Sequence, residues 1–151
     1  MRALIQRVSE ASVSVEGQCI AAIGRGLLVL LGVERGDGPP QAARMVDKLL
    51  AYRVFADGEG RMNRSVLDVR GGVLLVSQFT LAADTGRGLR PGFSRAAAPQ
   101  EARQLYELMC QLLAGRCPGF GSGCFGAEMQ VGLVNDGPVT FMLEIAPGPA
   151  G

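Results

Sequence analysis

Two short runs that are apolar on both faces constrain this chain more than any other feature. Residues 26–33 read Gly-Leu-Leu-Val-Leu-Leu-Gly-Val, and residues 72–78 read Gly-Val-Leu-Leu-Val-Ser-Gln. A strand with one face in water alternates between polar and apolar residues, whereas a strand covered on both faces is continuously apolar. We therefore expect two central strands, each lying between two further layers of the fold.

One segment with helical spacing lies between these two strands, and another follows the second strand. Apolar residues recur at helical intervals from Ala43 to about Ala51, and again from Pro99 to a stop at Gly115. This spacing predicts two amphipathic helices.

The remaining apolar segments predict further strands. The opening residues, up to and beyond the Glu16-Gly17 turn, favour short antiparallel strands, and residues 125–134 and 139–145 favour two closing strands. The order predicts one α/β (α+β) domain over residues 1–146, with mixed, largely antiparallel β-sheets and two helices on one side, layered β/β/α. Residues 147–151 are expected to form a frayed tail.

Composition narrows the classes of function. The 151 residues are 48% hydrophobic, enough for a core without disulfides or metals, and the formal net charge is +1. We therefore expect no DNA partner, and any RNA contact must be local. Without a signal peptide or an apolar stretch of about 18 residues, we expect a cytoplasmic protein with no membrane association. The four cysteines favour buried or half-buried free thiols over a four-thiolate zinc site.

The chain contains no histidine. This excludes Ser-His and Cys-His nucleophilic pairs and every metal site that uses an imidazole ligand. If the protein is an enzyme, proton transfer near neutral pH must come from a carboxylate, a thiol or the substrate itself.

A polar segment ends the second apolar strand. Ser77, Gln78, Phe79 and Thr80 follow one another there. Their polar groups can simply cap the strand ladder. Alternatively, the backbone N–H groups of Phe79 and Thr80 can bind an ester carbonyl as an oxyanion hole, while Ser77 and Gln78 orient the substrate. Thr80 has no visible base that would make it a nucleophile.

A second segment, Asn135-Asp136-Gly137-Pro138-Val139-Thr140, lies between the two closing strands. Asp-Gly between apolar runs is an ordinary hairpin signal. Pro138 has no N–H to donate at the start of a strand. A cis peptide bond at Gly137-Pro138 resolves that conflict.

These two segments match the two signature motifs of the D-aminoacyl-tRNA deacylases, and the chain resembles that family to about residue 145. Residues 2–8, 26–33, 62–63 and 129–131 carry further resemblance. Gly92, Cys124 and Gly132 depart from the residues we expect, which are Ser, Arg and Ser. Both signature motifs remain intact.

The resemblance implies hydrolysis of the ester of D-aminoacyl-tRNA, and of mischarged glycyl-tRNA, by water without a cofactor or metal. It implies that the 2′-hydroxyl of the terminal adenosine acts as the base, and that the aminoacylated acceptor end of tRNA is the partner. The catalytic residues it implies are Ser77, Gln78, Phe79 and Thr80. It places the base of the adenosine, or nearby tRNA, against Phe125, Met129 and Asn135, although the two apolar residues could equally serve as core.

The resemblance also implies a homodimer. In the family, the cis Gly137-Pro138 pair of one subunit enters the partner's active site. Its carbonyls hold the amino group of a D-amino acid and clash with an L side chain, while Arg7 steadies the pair. The residues by themselves leave two alternative functions open. One is a non-catalytic dimeric module that binds RNA ends or small ligands, and the other is an editing domain that removes wrong L-amino acids.

Arginines are concentrated in the long segment between the catalytic residues and the second helix. Arg87, Arg90 and Arg95 lie there with Phe93. They could reach phosphates of the acceptor stem, or they could be the incidental charges of a solvated loop.

Overall fold

The computed structural model describes residues 1–149 of the chain. Over these residues the chain forms strands, two long helices and one 3₁₀ turn. In chain order they are β1 (Arg2–Val15), β2 (Gln18–Ile23), β3 (Gly26–Gly32), α1 (Pro39–Ala51), β4 (Phe55–Ala56), β5 (Met62–Arg64), β6 (Gly72–Ser77), the 3₁₀ turn (Phe79–Ala82), α2 (Pro99–Ala114), β7 (Phe120–Ser122) and β8 (Gln130–Glu144).

The main sheet is mixed and is built around the two apolar runs. Its order is β2-β1-β3-β6-β7, and β8 also pairs with β1. The pairs β3–β6 and β6–β7 are parallel, whereas the pairs that involve β1 are antiparallel. β1 is one strand of 14 residues that pairs with β3 through its first half and with β2 through its second half. The opening strands are antiparallel and β2 is short, as predicted, whereas β1 is longer than predicted.

Each central strand is buried on both faces, as predicted. Helices α1 and α2 cover one face with side chains such as Met45, Leu49 and Met109, each fully buried. On the other face, the second half of β1 folds back and packs Val8 and Val13 against the central strands. These two separate cores confirm the β/β/α layering with both helices on one side.

β8 differs from the predicted pair of closing strands. It is continuous from Gln130 to Glu144 and follows β1 along its length. Its pairing steps from Thr140 opposite Gln6 to Asn135 opposite Val8, so residues 136–139 leave the ladder as a protrusion. The alternative interpretation of Asp136-Gly137 as a hairpin turn is excluded, because the segments on either side of Gly137 pair with β1 and not with each other.

The end of the described chain lies against the segment before α1, and the four cysteines are unpaired. Gly148 donates a backbone hydrogen bond to Gly36 (2.9 Å), and residues 150–151 of the predicted tail lie outside the described residues. All four cysteines are free; Cys110 and Cys117 are half-buried and buried as expected, whereas Cys19 and Cys124 are exposed. None of the helices in residues 1–149 has the length and apolarity needed to cross a bilayer.

Candidate active site

The chain turns sharply where β6 ends. The backbone N–H of Gln78 donates to Leu31 of the neighbouring β3 (2.7 Å), and the 3₁₀ turn begins at the next residue. Inside the turn, Leu81 donates back to Gln78 (3.1 Å). Within residues 1–149, the backbone N–H groups of Phe79 and Thr80 have no hydrogen-bond acceptor. Two consecutive donors are therefore free to bind a carbonyl oxygen.

The side chains of Gln78 and Thr80 are hydrogen-bonded to each other at this turn. The amide nitrogen of Gln78 donates a short hydrogen bond to the hydroxyl oxygen of Thr80. The Thr80 hydroxyl is thus an acceptor, and its own proton is directed elsewhere. Phe79 is 62% exposed, which is unusual for a phenylalanine beside a buried strand and places its ring at the surface of the turn.

A cavity of about 490 Å³ opens beside this strand end. Its walls are largely apolar and come from β3, the end of β6, helix α2, the segment before β8 and the beginning of β8. The lining includes Leu31, Val76, Ser77, Gln78, Phe79, Ala102, Tyr106, Phe125, Met129 and Val131. Cavities of this size bind small ligands. The fold thus brings five of the predicted site residues to one cavity, namely Ser77, Gln78, Phe79, Phe125 and Met129.

Tyr106 is a cavity residue that sequence reasoning missed. Its hydroxyl lies 3.0 Å from the carbonyl oxygens of both Leu75 and Gly123, so it shares one proton between β6 and the segment that carries Phe125. Its ring centroid lies 5.8 Å from that of Phe125. Burial raises the pKa of Tyr106, so the hydroxyl remains a donor at neutral pH. The available signal was a tyrosine at a core-facing position of α2.

The predicted chiral-selection residues form a second group, with Gly137 and Pro138 on the β8 protrusion and Arg7 on β1. The Gly137-Pro138 peptide bond is cis, as predicted. The Arg7 guanidinium donates to the carbonyl oxygen of Asp136 in the protrusion (2.9 Å) and to that of Val54 (2.8 Å).

Asn135 stabilises the same protrusion through hydrogen bonds to residues of its own strand. Its amide oxygen accepts from the Val139 N–H (2.7 Å), and its amide nitrogen donates to the Thr140 hydroxyl (2.9 Å). One amide proton remains for another partner. The predicted contact of Asn135 with adenosine or tRNA stays a prediction.

The two groups lie apart within one subunit. Near Gly137, β8 is separated from β6 by β1 and β3, which at the usual strand spacing is about 14 Å. Only the beginning of β8 reaches the cavity, through Val131. Neither Gly137 nor Pro138 lines the cavity, and both are exposed. Val134, Phe141 and Met142 on the same edge strand are also exposed, so the protrusion belongs to a partly apolar outer surface.

This chain is similar to known proteins over almost its whole length. The D-Tyr-tRNA(Tyr) deacylase family profile matches residues 4–144. A D-aminoacyl-tRNA deacylase of Nitrosococcus oceani is 56% identical over 147 residues, which cover 97% of this chain and 95% of that protein. One from Pseudomonas aeruginosa is 59% identical over 144 residues, covering 95% of this chain and 99% of that protein.

Solved structures share the architecture. That of a c-Myc DNA Unwinding Element Binding Protein matches with a TM-score of 0.92 and 42% identity, covering 97% of this chain and 99% of that one. A probable eukaryotic D-amino acid tRNA deacylase matches with a TM-score of 0.81 and 19% identity, covering 95% and 98%, and so shows the fold alone. With the profile match and the identities above, this chain belongs to the D-Tyr-tRNA(Tyr) deacylase family.

Proposed function

We propose that this chain hydrolyses the ester that joins a D-amino acid, or glycine, to the 3′ end of a tRNA, as a cytoplasmic proofreading step. One observation carries the proposal. Two free backbone N–H groups, those of Phe79 and Thr80, lie on the turn beside an apolar cavity that Phe79 helps to line and that is large enough for a nucleoside. An aminoacylated adenosine presents both an ester carbonyl and an apolar base.

In the proposed reaction, water attacks the ester carbonyl carbon and the C–O bond to the 3′-oxygen breaks. The carbonyl oxygen becomes negatively charged and accepts hydrogen bonds from Phe79 and Thr80. Each such donor contributes about 2.7–4 kcal/mol to the transition state. The water proton passes by way of the adenosine 2′-hydroxyl to the leaving 3′-oxygen, a route that suits a chain without histidine.

The cavity walls would hold the terminal adenosine. The ring of Phe125 and the thioether of Met129 offer apolar surface to the base, and aromatic stacking is a common way to hold an unpaired base. Ser77 and Gln78 lie at the strand end, where they would orient the aminoacyl group.

Chiral selection would come from a second copy of the chain. Because Gly137-Pro138 lies about 14 Å from β6 of its own subunit by strand spacing, it would enter the partner's site across a dimer interface. Arg7 and Asn135 hold the residues on either side of Gly137-Pro138, since Arg7 donates to the Asp136 carbonyl and Asn135 accepts from the Val139 N–H. The main-chain carbonyls between them would then be unable to rotate away from an L side chain. Rejection by about a thousandfold requires roughly 4 kcal/mol.

Ester hydrolysis tests the activity directly. D-tyrosyl-tRNA and glycyl-tRNA should be hydrolysed and L-tyrosyl-tRNA spared, and a substrate with a terminal 2′-deoxyadenosine should bind without turnover. A module that only binds RNA ends would leave every ester intact. Equal hydrolysis of both tyrosyl enantiomers would contradict the proposed selection.

Complementation tests the cross-subunit site. Ala102→Phe should block the cavity, and Gly137→Val should distort the protrusion, where a Cβ would lie 2.6 Å from the Val139 side chain. Each variant alone should be inactive. After subunit exchange, mixed dimers should restore about a quarter of wild-type activity, because half of the dimers then hold one intact site of two. No recovery between variants shown to exchange would exclude action in trans.

A further inference from the structure

The segment after the 3₁₀ turn is an ordered projection, here called the arm, residues 84–95. Asp84 and Gly92 pair through two backbone hydrogen bonds of 2.7 and 2.9 Å, so residues 85–91 project as a closed loop. The returning chain is tied to the segment that follows β3, since the backbone N–H of Arg35 donates to the Arg95 carbonyl (2.9 Å). Both ends of the arm are thus fixed beside the cavity.

The arm carries concentrated positive charge. Arg87, Arg90 and Arg95 are exposed, and in the described part of the chain none of them lies within 4 Å of a carboxylate. The one carboxylate of the arm, Asp84, accepts the backbone N–H of Gly86 (2.9 Å). Since the whole chain has a net charge of only +1, the arm is a local cationic site on a nearly neutral protein.

An aromatic pair lies at the base of the arm. The ring centroids of Phe79 and Phe93 are 5.3 Å apart, and the two side chains are 62% and 42% exposed. Exposed aromatic faces next to unpaired cations are the arrangement that proteins use for single-stranded nucleic acid, where rings stack on bases and cations bind phosphates. Because Phe79 also lines the cavity, this surface continues directly from the proposed adenosine site.

We propose that the arm binds the single-stranded acceptor end of the tRNA, next to the terminal adenosine. Arg87 and Arg90 bind its phosphates, and Phe93 stacks on an unpaired base. The loop 85–91 leaves and returns to the same base, so it extends by about half of its length, which is about four residues or at most roughly 13 Å. This length spans about four nucleotides of a stacked strand. The proposal rests on the proposed function, because it assigns a binding surface for the same substrate.

Two substrates separate phosphate binding from the chemistry. The first is D-tyrosyl-tRNA, and the second is the 3′-D-tyrosyl ester of adenosine, which has no phosphate. In Arg87→Gln/Arg90→Gln, kcat/KM for the tRNA should fall about tenfold, mainly through KM. The slope of log kcat/KM against log salt should become shallower by about 1.4, because each phosphate contact on a single strand contributes about 0.7. Hydrolysis of the adenosine ester should not change.

Arg44→Gln/Arg70→Gln is the matched control, since it removes the same charge from α1 and from the turn before β6. It should leave both substrates and the salt slope unaffected. Phe93→Leu should lower kcat/KM for the tRNA while keeping the wild-type salt slope, as expected for a stacking contact.

Three results would overturn the arm's role. These are a wild-type salt slope in the Arg87/Arg90 double variant, an equal loss on the adenosine ester, and an equal effect of the control variant. Failure of the wild-type protein to hydrolyse either substrate would instead overturn the proposed function.

Discussion

Replacing Gly32 by alanine should displace the turn that carries the proposed oxyanion donors. Gly32 is the last residue of β3 and faces the 3₁₀ turn. A Cβ at this position would lie 2.9 Å from the Leu81 Cβ, 3.4 Å from the Ala82 nitrogen and 3.4 Å from the Gln78 carbonyl oxygen. None of these atoms belongs to the flexible end of a side chain, so the backbone of the turn must move.

The size of the effect follows from these distances. Apolar carbons pack at about 3.5–4.0 Å, so the turn must retreat by roughly 1 Å, and Phe79 and Thr80 move with it. A misplacement of about 1 Å in a catalytic group can lower the rate about 100-fold. Overpacking destabilises a fold by about 1–3 kcal/mol, partly offset by the lower chain entropy of alanine in the unfolded state. We therefore expect a folded variant with a greatly reduced kcat.

Single-turnover hydrolysis of D-tyrosyl-tRNA, with thermal unfolding of the same samples, measures both quantities. Gly24→Ala is the control, because a Cβ at Gly24 would contact no atom within 4 Å. It should behave as wild type. A folded Gly32→Ala protein with the wild-type kcat would show that the position of the turn does not determine the rate.

Three further predictions concern single side chains and pH. Thr80→Ala should keep most of the activity, since its backbone N–H is the proposed donor; a loss of about a millionfold in kcat would instead mark a nucleophile. Asn135→Ala leaves the Val139 N–H unpaired at a local cost of about 1–3 kcal/mol. The ratio of the hydrolysis rate on D-tyrosyl-tRNA to that on L-tyrosyl-tRNA should therefore decrease. An unchanged ratio would contradict the role of Asn135 in holding the protrusion. Burial raises the pKa values of Tyr106 and Cys117, so their contribution to stability is full at neutral pH and is lost as pH rises above about 9. Urea denaturation should show this decline, with a smaller one in Tyr106→Phe.

Local patterns determined which segments become the central elements. Two short runs that are apolar on both faces favoured buried strands, and helical spacing bounded by Pro99 and Gly115 located α2. The polar end of the second run and the Gly137-Pro138 pair were also recognisable, because special residue types stand next to one another in the chain. A local pattern could not show that the segments on either side of Gly137 share β1 as their partner. It also missed β7, which has three residues and, among residues 1–149, pairs only with β6.

The tertiary structure decided which of these residues act together. Strand order places Ser77 and Phe125 at one cavity, keeps Gly137 three strands away from it, and brings Tyr106 from a helix to two carbonyls that need a donor. The physical reason is the separation along the chain between the residues that interact. Burial periodicity and turn preferences depend on residues a few positions apart, whereas sheet order, cavity walls and shared hydrogen bonds depend on packing between segments that are distant along the chain.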